Sequence, residues 1–340
     1  MLALRVLRSP VGTFLRYGVS LGLLGWLATR VEWVRLGELR ALEATLTVPA
    51  VFFAGAAYPL QAWRWQVLLR ALGIAVPTSW VQSVSWIGQF YNSFLPGGVA
   101  GDAVRLGWVW RQAPDRKSAG AASLLADRVL GLGALLVLAA GALCIHTIQP
   151  GAGAGLRPVL WASLAALAVL AAAGWSLAQT RWWQPLGTRV LGAERAAALQ
   201  ASIAALGARP GSLAGAAALS VAVWLADFLS LWLLARAVGL PAGLLEVSVG
   251  AAAAYVAASL PISIGGHGVR EMSLVSVLGL LGYGGTEDGA VALLVAAFWT
   301  LSVAWSLVGG AVQLTALCCG WPGKPRSSTA TETKRGPFRG

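Results

Sequence analysis

Charge is scarce in this sequence, and that scarcity decides the class of protein. Only 11% of the 340 residues are Asp, Glu, Lys or Arg, 57% are hydrophobic, and mean hydropathy is +0.71. A soluble globular chain carries roughly 25% charged residues, so most of this one has no face to offer water. No stretch is left for a soluble catalytic domain of about 100 residues. Histidine is limited to His146 and His267, and cysteine to Cys144, Cys318 and Cys319. No C-x-x-C or zinc-type spacing occurs, so no disulfide framework, metal site or cofactor is expected. A P-loop pattern (G-x-x-x-x-G-K-[ST]) is also missing, which excludes ATP hydrolysis by this chain. The acidic residues stand singly apart from Glu287-Asp288. That argues against the carboxylate clusters with which a metal-dependent transferase holds Mg²⁺, and no enzyme activity is expected.

What the sequence does have is long apolar runs. The first follows Arg5, Arg8 and Arg16 and reaches Ala28. It lacks an A-x-A-like cleavage site and reads as an uncleaved helix. Others lie at about 48–69, 119–146, 158–178, 211–238, 243–261 and 288–318, at the length a spanning helix needs. Two more stretches, about 79–96 and 269–284, are cut short by glycine and proline. They read as short spans, re-entrant hairpins or halves of broken helices. The expected fold is all-α: a polytopic membrane protein of about eight transmembrane helices, with two broken or re-entrant segments and an inverted repeat. A single transmembrane domain covers 1–321, in halves of roughly 1–150 and 151–321. Segment 182–208 reads as a cytoplasmic or interfacial amphipathic helix, and the basic tail 322–340 as disordered.

The net charge of +12 sits where orientation can be read from it. Arg105, Arg111, Arg116 and Lys117 precede the run at 119, and Arg181, Arg189, Arg195 and Arg209 follow the run ending at 178. The positive-inside tendency assigns these loops and the N-terminus to the cytoplasm. The tail's Lys324, Arg326, Lys334, Arg335 and Arg339 belong there too. Both termini then face the cytoplasm of an inner-membrane protein if one interrupted stretch crosses. Anionic lipid, not nucleic acid, is the partner that such charge implies.

The most informative feature is a repeat. Residues 95–105 read L-P-G-G-V-A-G-D-A-V-R, and residues 260–270 read L-P-I-S-I-G-G-H-G-V-R. Leu95/Leu260, Pro96/Pro261, Gly101/Gly266, Val104/Val269 and Arg105/Arg270 match in register. Proline removes a backbone donor and glycine permits non-helical backbone. At membrane depth such backbone survives only inside protein or beside a wet cavity. Paired interruptions in two halves mark the substrate site of inverted-repeat transporters. Amides freed at half-helix N-termini, with Arg105 and Arg270, suit a phosphate; the bland reading is a kinked helix end with Arg anchored among headgroups.

Other ionisable residues fall inside apolar runs: Arg16, Arg64, Asp127, Arg128 and Asp227, with Glu271 beside Arg270. A charge at bilayer depth costs at least about 2.5–3.5 kcal/mol, so each calls for a partner or a functional cavity. Asp127 and Arg128 point about 100° apart on a helix and are free to reach different neighbours. Arg16 and Arg64 are expected to snorkel to the interface. Asp227 reads as a buried partner for an arginine, a proton-coupling carboxylate or a structural ion.

Together, Y-N-S-F-L-P-G-G-V-A-G-D-A-V-R (91–105), A-D-R-V-L-G-L (126–132) and S-L-P-I-S-I-G-G-H-G-V-R-E (259–271) resemble a flippase-like family. It is related to the transmembrane flippase region of bacterial lysylphosphatidylglycerol synthase, and the resemblance covers residues 10–318. By resemblance, the site residues are Asn92, Pro96, Gly97, Gly98, Gly101, Asp102, Arg105, Asp127, Arg128, Pro261, Gly265, Gly266, Gly268, Arg270 and Glu271. His267 departs from the pattern, where a small or uncharged residue is expected. The aminoacyl-transferase domain of the bifunctional relatives is not expected of this chain.

The resemblance implies lipid translocation. The substrate would be an anionic or zwitterionic amphiphile, a phospholipid or polyprenyl-linked lipid, whose headgroup crosses a cavity that also holds Asp227. Membrane lipids and a separate lipid-modifying or polymer-synthesising enzyme are the expected partners. A non-transporting scaffold for envelope-polymer synthesis and a membrane-embedded lipid-linked transferase are the alternatives. The topology is testable: reporters fused after Leu317 and near Arg326 should be active only as cytoplasmic reporters. Activity confined to a periplasm-dependent reporter would overturn it.

Overall fold

In the computed structural model the described residues are 43–95, 100–148, 161, 164–169, 187–190, 192–259, 263, 265–284 and 289–319. The first apolar run, most of 158–178, Pro96, Gly97, Gly98, Pro261 and the tail lie outside them. All the regular structure among the described residues is helical. The helices are α1 (Ala44–Ala71), α2 (Thr78–Phe94), α3 (Ala100–Gln112), α4 (Lys117–Ile148), α5 (Ala193–Gly207), α6 (Pro210–Ala237), α7 (Leu244–Ser259), α8 (Val269–Leu280) and α9 (Gly289–Cys319). This is an all-α polytopic membrane protein.

Length separates two kinds of helix. At 1.5 Å per residue, α1, α4, α6 and α9 reach about 42–48 Å, more than the ~30 Å hydrocarbon thickness. The spans 114–148, 210–237 and 289–316 are also apolar enough to cross a membrane by composition. By contrast α2, α3, α7 and α8, of 17, 13, 16 and 12 residues, fall short. They pair into two antiparallel hairpins. In α2–α3, Gly88 lies against Gly101 and Arg105, and the Gly101 amide donates to Asn92 Oδ1 at 2.8 Å. In α7–α8, Gly250 lies under Leu274 and Leu278, and Gly266 against Ala258.

The long helices fix the direction of each hairpin. Helices α1 and α6 run antiparallel: Arg64 Nη1 donates to Ser220 Oγ at 3.2 Å, and Ser230 Oγ donates to the Ala50 carbonyl at 2.8 Å. Small residues on this seam, Ala50, Ala57, Ala216 and Ser220, are buried and let the backbones approach. Gln66 at the C-terminal end of α1 bonds Thr78 at the start of α2, and Tyr58 stacks on Trp86 a few turns deeper. Thus α2–α3 enters from the side of the α1 C-terminus. The base of α7–α8 packs with Ala142 and Leu143 near the other end of α4, so that hairpin enters from the opposite side.

The tips meet inside the protein. Gly265, with φ +59°, lies so close to Ser93 and the Asn92 carbonyl that no Cβ would fit. Gly266 and Gly268 also have positive φ, +79° and +84°, which explains the glycines of the second motif. Of the three readings of the interrupted stretches, the structure takes the re-entrant hairpin. The finding that differs concerns 243–261, expected as a complete span. Its helix α7 is about 24 Å long and serves as one arm of a hairpin. Within 182–208, expected as a cytoplasmic or interfacial helix, α5 packs Leu199, Ile203 and Leu206 beside Leu68 and Ala216, at the end where α1 leaves and α4 and α6 begin.

The hairpin contact makes a prediction. A Cβ at Gly101 would collide with the Gly88 carbonyl, whereas one at Gly107 would meet nothing within 4 Å. Gly101→Ala should cost about 1–3 kcal/mol as overpacking, while Gly107→Ala should be neutral or gain up to about 1 kcal/mol in helix propensity. Thermal midpoints of the purified variants would show this; equal midpoints would contradict the packing.

Candidate functional site

Two clusters of charge lie between the long helices, one behind each hairpin. The first is a chain of alternating sign. Arg64 Nε on α1 donates to Asp127 Oδ1 on α4 at 2.7 Å, and Arg105 Nη1 on α3 donates to Asp127 Oδ2 at 3.2 Å. Arg105 Nη1 also lies 3.4 Å from Asp102 Oδ1, and Asp102 Oδ2 accepts from Arg128 Nε at 2.6 Å. Asp127 lies about 15 Å along α4 from its first residue.

Local sequence explains how the arginines fit. Gly131 leaves room for the Arg64 guanidinium and Gly88 for the stem of Arg105. The Arg105 guanidinium lies 4.1 Å over the Trp65 ring, a cation–π contact strengthened by exclusion of water. Trp65 is itself held by a 3.1 Å bond from its indole nitrogen to Ser123 Oγ. Burial decreases along the chain. The Asp127 side chain is 3% exposed, that of Arg105 11% and that of Arg128 53%. Arg128 is the open end.

The second cluster sits at the tip of α7–α8. Arg270 donates from Nε (2.9 Å) and Nη2 (2.6 Å) to Glu271 Oε1, and lies 4.4 Å over the Phe298 ring. Glu271 Oε2 accepts from the Gly268 amide at 2.7 Å. Asp227, Tyr58 and Tyr255 lie within electrostatic reach of Arg270. The ring of His267, the departure from the expected pattern, lies edge-on to Trp299.

These contacts change part of the sequence reading. Arg64, expected to snorkel, is 6% exposed and paired with Asp127; the exposed cation of α1 is Arg70, in its last turn. Arg105 and Arg270 bond to different carboxylates, Asp127 and Glu271. The half-helix amides expected to meet a phosphate are partly taken: Gly101 by Asn92, Gly268 by Glu271. Pro96, Gly97, Gly98 and Pro261 cannot be placed with these clusters because they lie outside the described residues. Arg64, Trp65, Ser220, Tyr58 and Tyr255 are the additions. Of these only Arg64 carried a signal in the sequence, as a charge within an apolar run.

On the other face of α3 a cleft of about 420 Å³ opens between α2, α3 and α9, lined by Ile87, Tyr91, Val104, Gly107, Trp108 and Arg111. Gln313 Nε2 donates to Tyr91 Oη at 2.7 Å across it. Among the described residues no group of three His, Cys, Asp or Glu is placed to hold a metal.

Comparison with known proteins decides the family. The family model described as lysylphosphatidylglycerol synthase TM region matches residues 13–306. The chain belongs to that family. The match spans both hairpins and both charge clusters and ties the protein to a membrane lipid-related function. No curated protein and no solved structure matches.

The first cluster predicts a stability pattern. Asp127→Asn leaves Arg64 buried without a counter-charge and Arg105 with only its longer contact to Asp102, and should cost about 3–5 kcal/mol. Adding Arg64→Met should recover part of that loss, because one stranded cation is removed. Denaturant titration of the four proteins in the cycle tests it; additive losses would show that the two residues are not coupled.

Proposed function

We propose that this protein is a lipid flippase of the cytoplasmic membrane, moving an amphiphile with a phosphate-bearing headgroup between leaflets. The observation that carries this reading is the first cluster. Three arginines answer only two aspartates there, and the surplus ends at half-exposed Arg128. Because Arg128 is open, an anion that reaches it completes the chain of charges. A lipid phosphate is the anion a membrane supplies, and guanidinium binds it with two parallel hydrogen bonds. The cleft beside Tyr91 and Trp108 offers the acyl chains an apolar berth, with Arg111 at the interface end. In this reading the α1 C-terminus, the α2–α3 base and the basic loops face the cytoplasm. The protein performs no bond chemistry, and a separate lipid-modifying or polymer-synthesising enzyme supplies or uses the lipid.

Movement of a labelled lipid in liposomes tests the reading. Arg128→Gln should slow it at least about tenfold with a normal thermal midpoint, because Arg128 closes no buried packing and the lost contact is worth roughly 1.5–3 kcal/mol. Lys should rescue poorly at this position, lacking the two-pronged contact. Arg105→Gln and Arg270→Gln should lose both movement and stability, since each serves a buried carboxylate. Wild-type rates in Arg128→Gln would remove Arg128 from the site. A wild-type protein that moves none of a broad lipid panel would put the scaffold role in first place.

A further inference from the structure

The cleft between α2, α3 and α9 holds hydrogen-bonding capacity that packing does not use. Its walls include Ile87, Val104 and the bare backbone of Gly107, where a Cβ would meet nothing within 4 Å. Tyr91 and Gln313 line the same cleft and bond to each other at 2.7 Å. That bond spends one amide hydrogen of Gln313. The second amide hydrogen, the Tyr91 hydroxyl hydrogen and the Gln313 carbonyl make no further bond among the described residues. Turning the amide over exchanges the roles and still leaves donors to spare. A polar side chain on a membrane helix faces a partner or a cavity, and this pair faces both.

The polar groups follow an order along the hairpin. Arg111 stands in the last turn of α3, at the base, over the Trp108 ring at 5.2 Å, and forms no ion pair among the described residues. Tyr91 stands in the last turn of α2, toward the tip. From the base inward the cleft therefore offers a positive charge first and hydrogen-bond donors next. At about 420 Å³ it is the size of a site for one bound molecule. An ester lipid has a matching order: phosphate, ester carbonyls, hydrocarbon. A polyprenyl phosphate passes from phosphate straight to hydrocarbon.

Resting on the flippase reading, we propose that Tyr91 and Gln313 read the ester linkage of the lipid in this cleft, which makes the substrate a diacyl phospholipid and not a polyprenyl phosphate. The spare donors of the pair meet an ester carbonyl. Against a polyprenyl chain they lose water and gain no partner, and one such bond left unmade is worth about a tenfold difference in binding. The Arg111 guanidinium faces the phosphate end of the same molecule.

The experiment uses the full chain in vesicles of diether phosphatidylcholine, a host without ester carbonyls. Three labelled lipids bearing the same phosphate monoester are compared: diester phosphatidic acid, its diether analogue and a polyprenyl phosphate. The wild type should move the diester about tenfold faster than either of the others. Tyr91→Phe combined with Gln313→Met keeps the ring and the bulk, and should bring the diester down to the diether rate. If the pair only ties α2 to α9, that variant would lower the thermal midpoint and leave the ratios between lipids unchanged, and the inference would fall. Equal wild-type rates for diester and diether, or a faster polyprenyl phosphate, would overturn it while the flippase reading stands. That comparison needs no variant to fold. Gly107→Leu, which fills the cleft from the α3 side, should slow all three lipids; unaltered rates would take the lipid out of the cleft and overturn the inference. No movement of any lipid by the wild type would remove the flippase reading and this inference with it.

Discussion

The Asp127 carboxylate joins parts of the fold that nothing else would hold in register. Its two oxygens take arginines from α1 and α3, while its own helix, α4, packs along α6. In water such pairs contribute little, because solvent screens them and side-chain entropy opposes them. Inside a membrane protein an unanswered charge is so unfavourable that alternative packings are removed from the accessible set. The first hairpin is therefore fixed by two constraints. Apolar packing of Trp65, Trp80, Val81 and Val109 gives it a core, and Asp127 decides how far it is inserted.

The two hairpins solve the same problem with different residues. A helix that begins at membrane depth exposes amide donors that lipid cannot satisfy. In α2–α3 the side chain of Asn92 reaches across from the neighbouring arm; in α7–α8 Glu271 folds back on its own first turn. Each N-terminal region therefore carries an internal acceptor. Positive charge then lies with the arginines beside the helix ends, and in the first hairpin it is most open at Arg128.

Much of this was legible in the sequence, for identifiable reasons. Gly/Pro interruptions report on the backbone itself, so both broken segments could be located from Leu95-Pro96 and Leu260-Pro261 before any contact was known. The divergence of Asp127 and Arg128 followed from helix geometry alone, and the structure sends them to different partners. Pairing across the fold was not legible. The apolar run at 243–261 is as long as a span, and only its packing against Leu274 and Leu278 shows it to be one arm of a hairpin. Arg64 lies a few residues from Arg70, and composition treats them alike. What distinguishes them is that Gly131 clears a space for one and not for the other. Helix–helix register sets such differences, and no local pattern encodes it.

The meeting of the two hairpin tips has a mechanical consequence. Gly265 lies against the backbone of Ser93 with no side chain between them, and parts packed this closely pass a displacement on instead of absorbing it. A shift of either hairpin along its axis is therefore felt at the tip of the other, and the two ends of the bundle move on one shared coordinate.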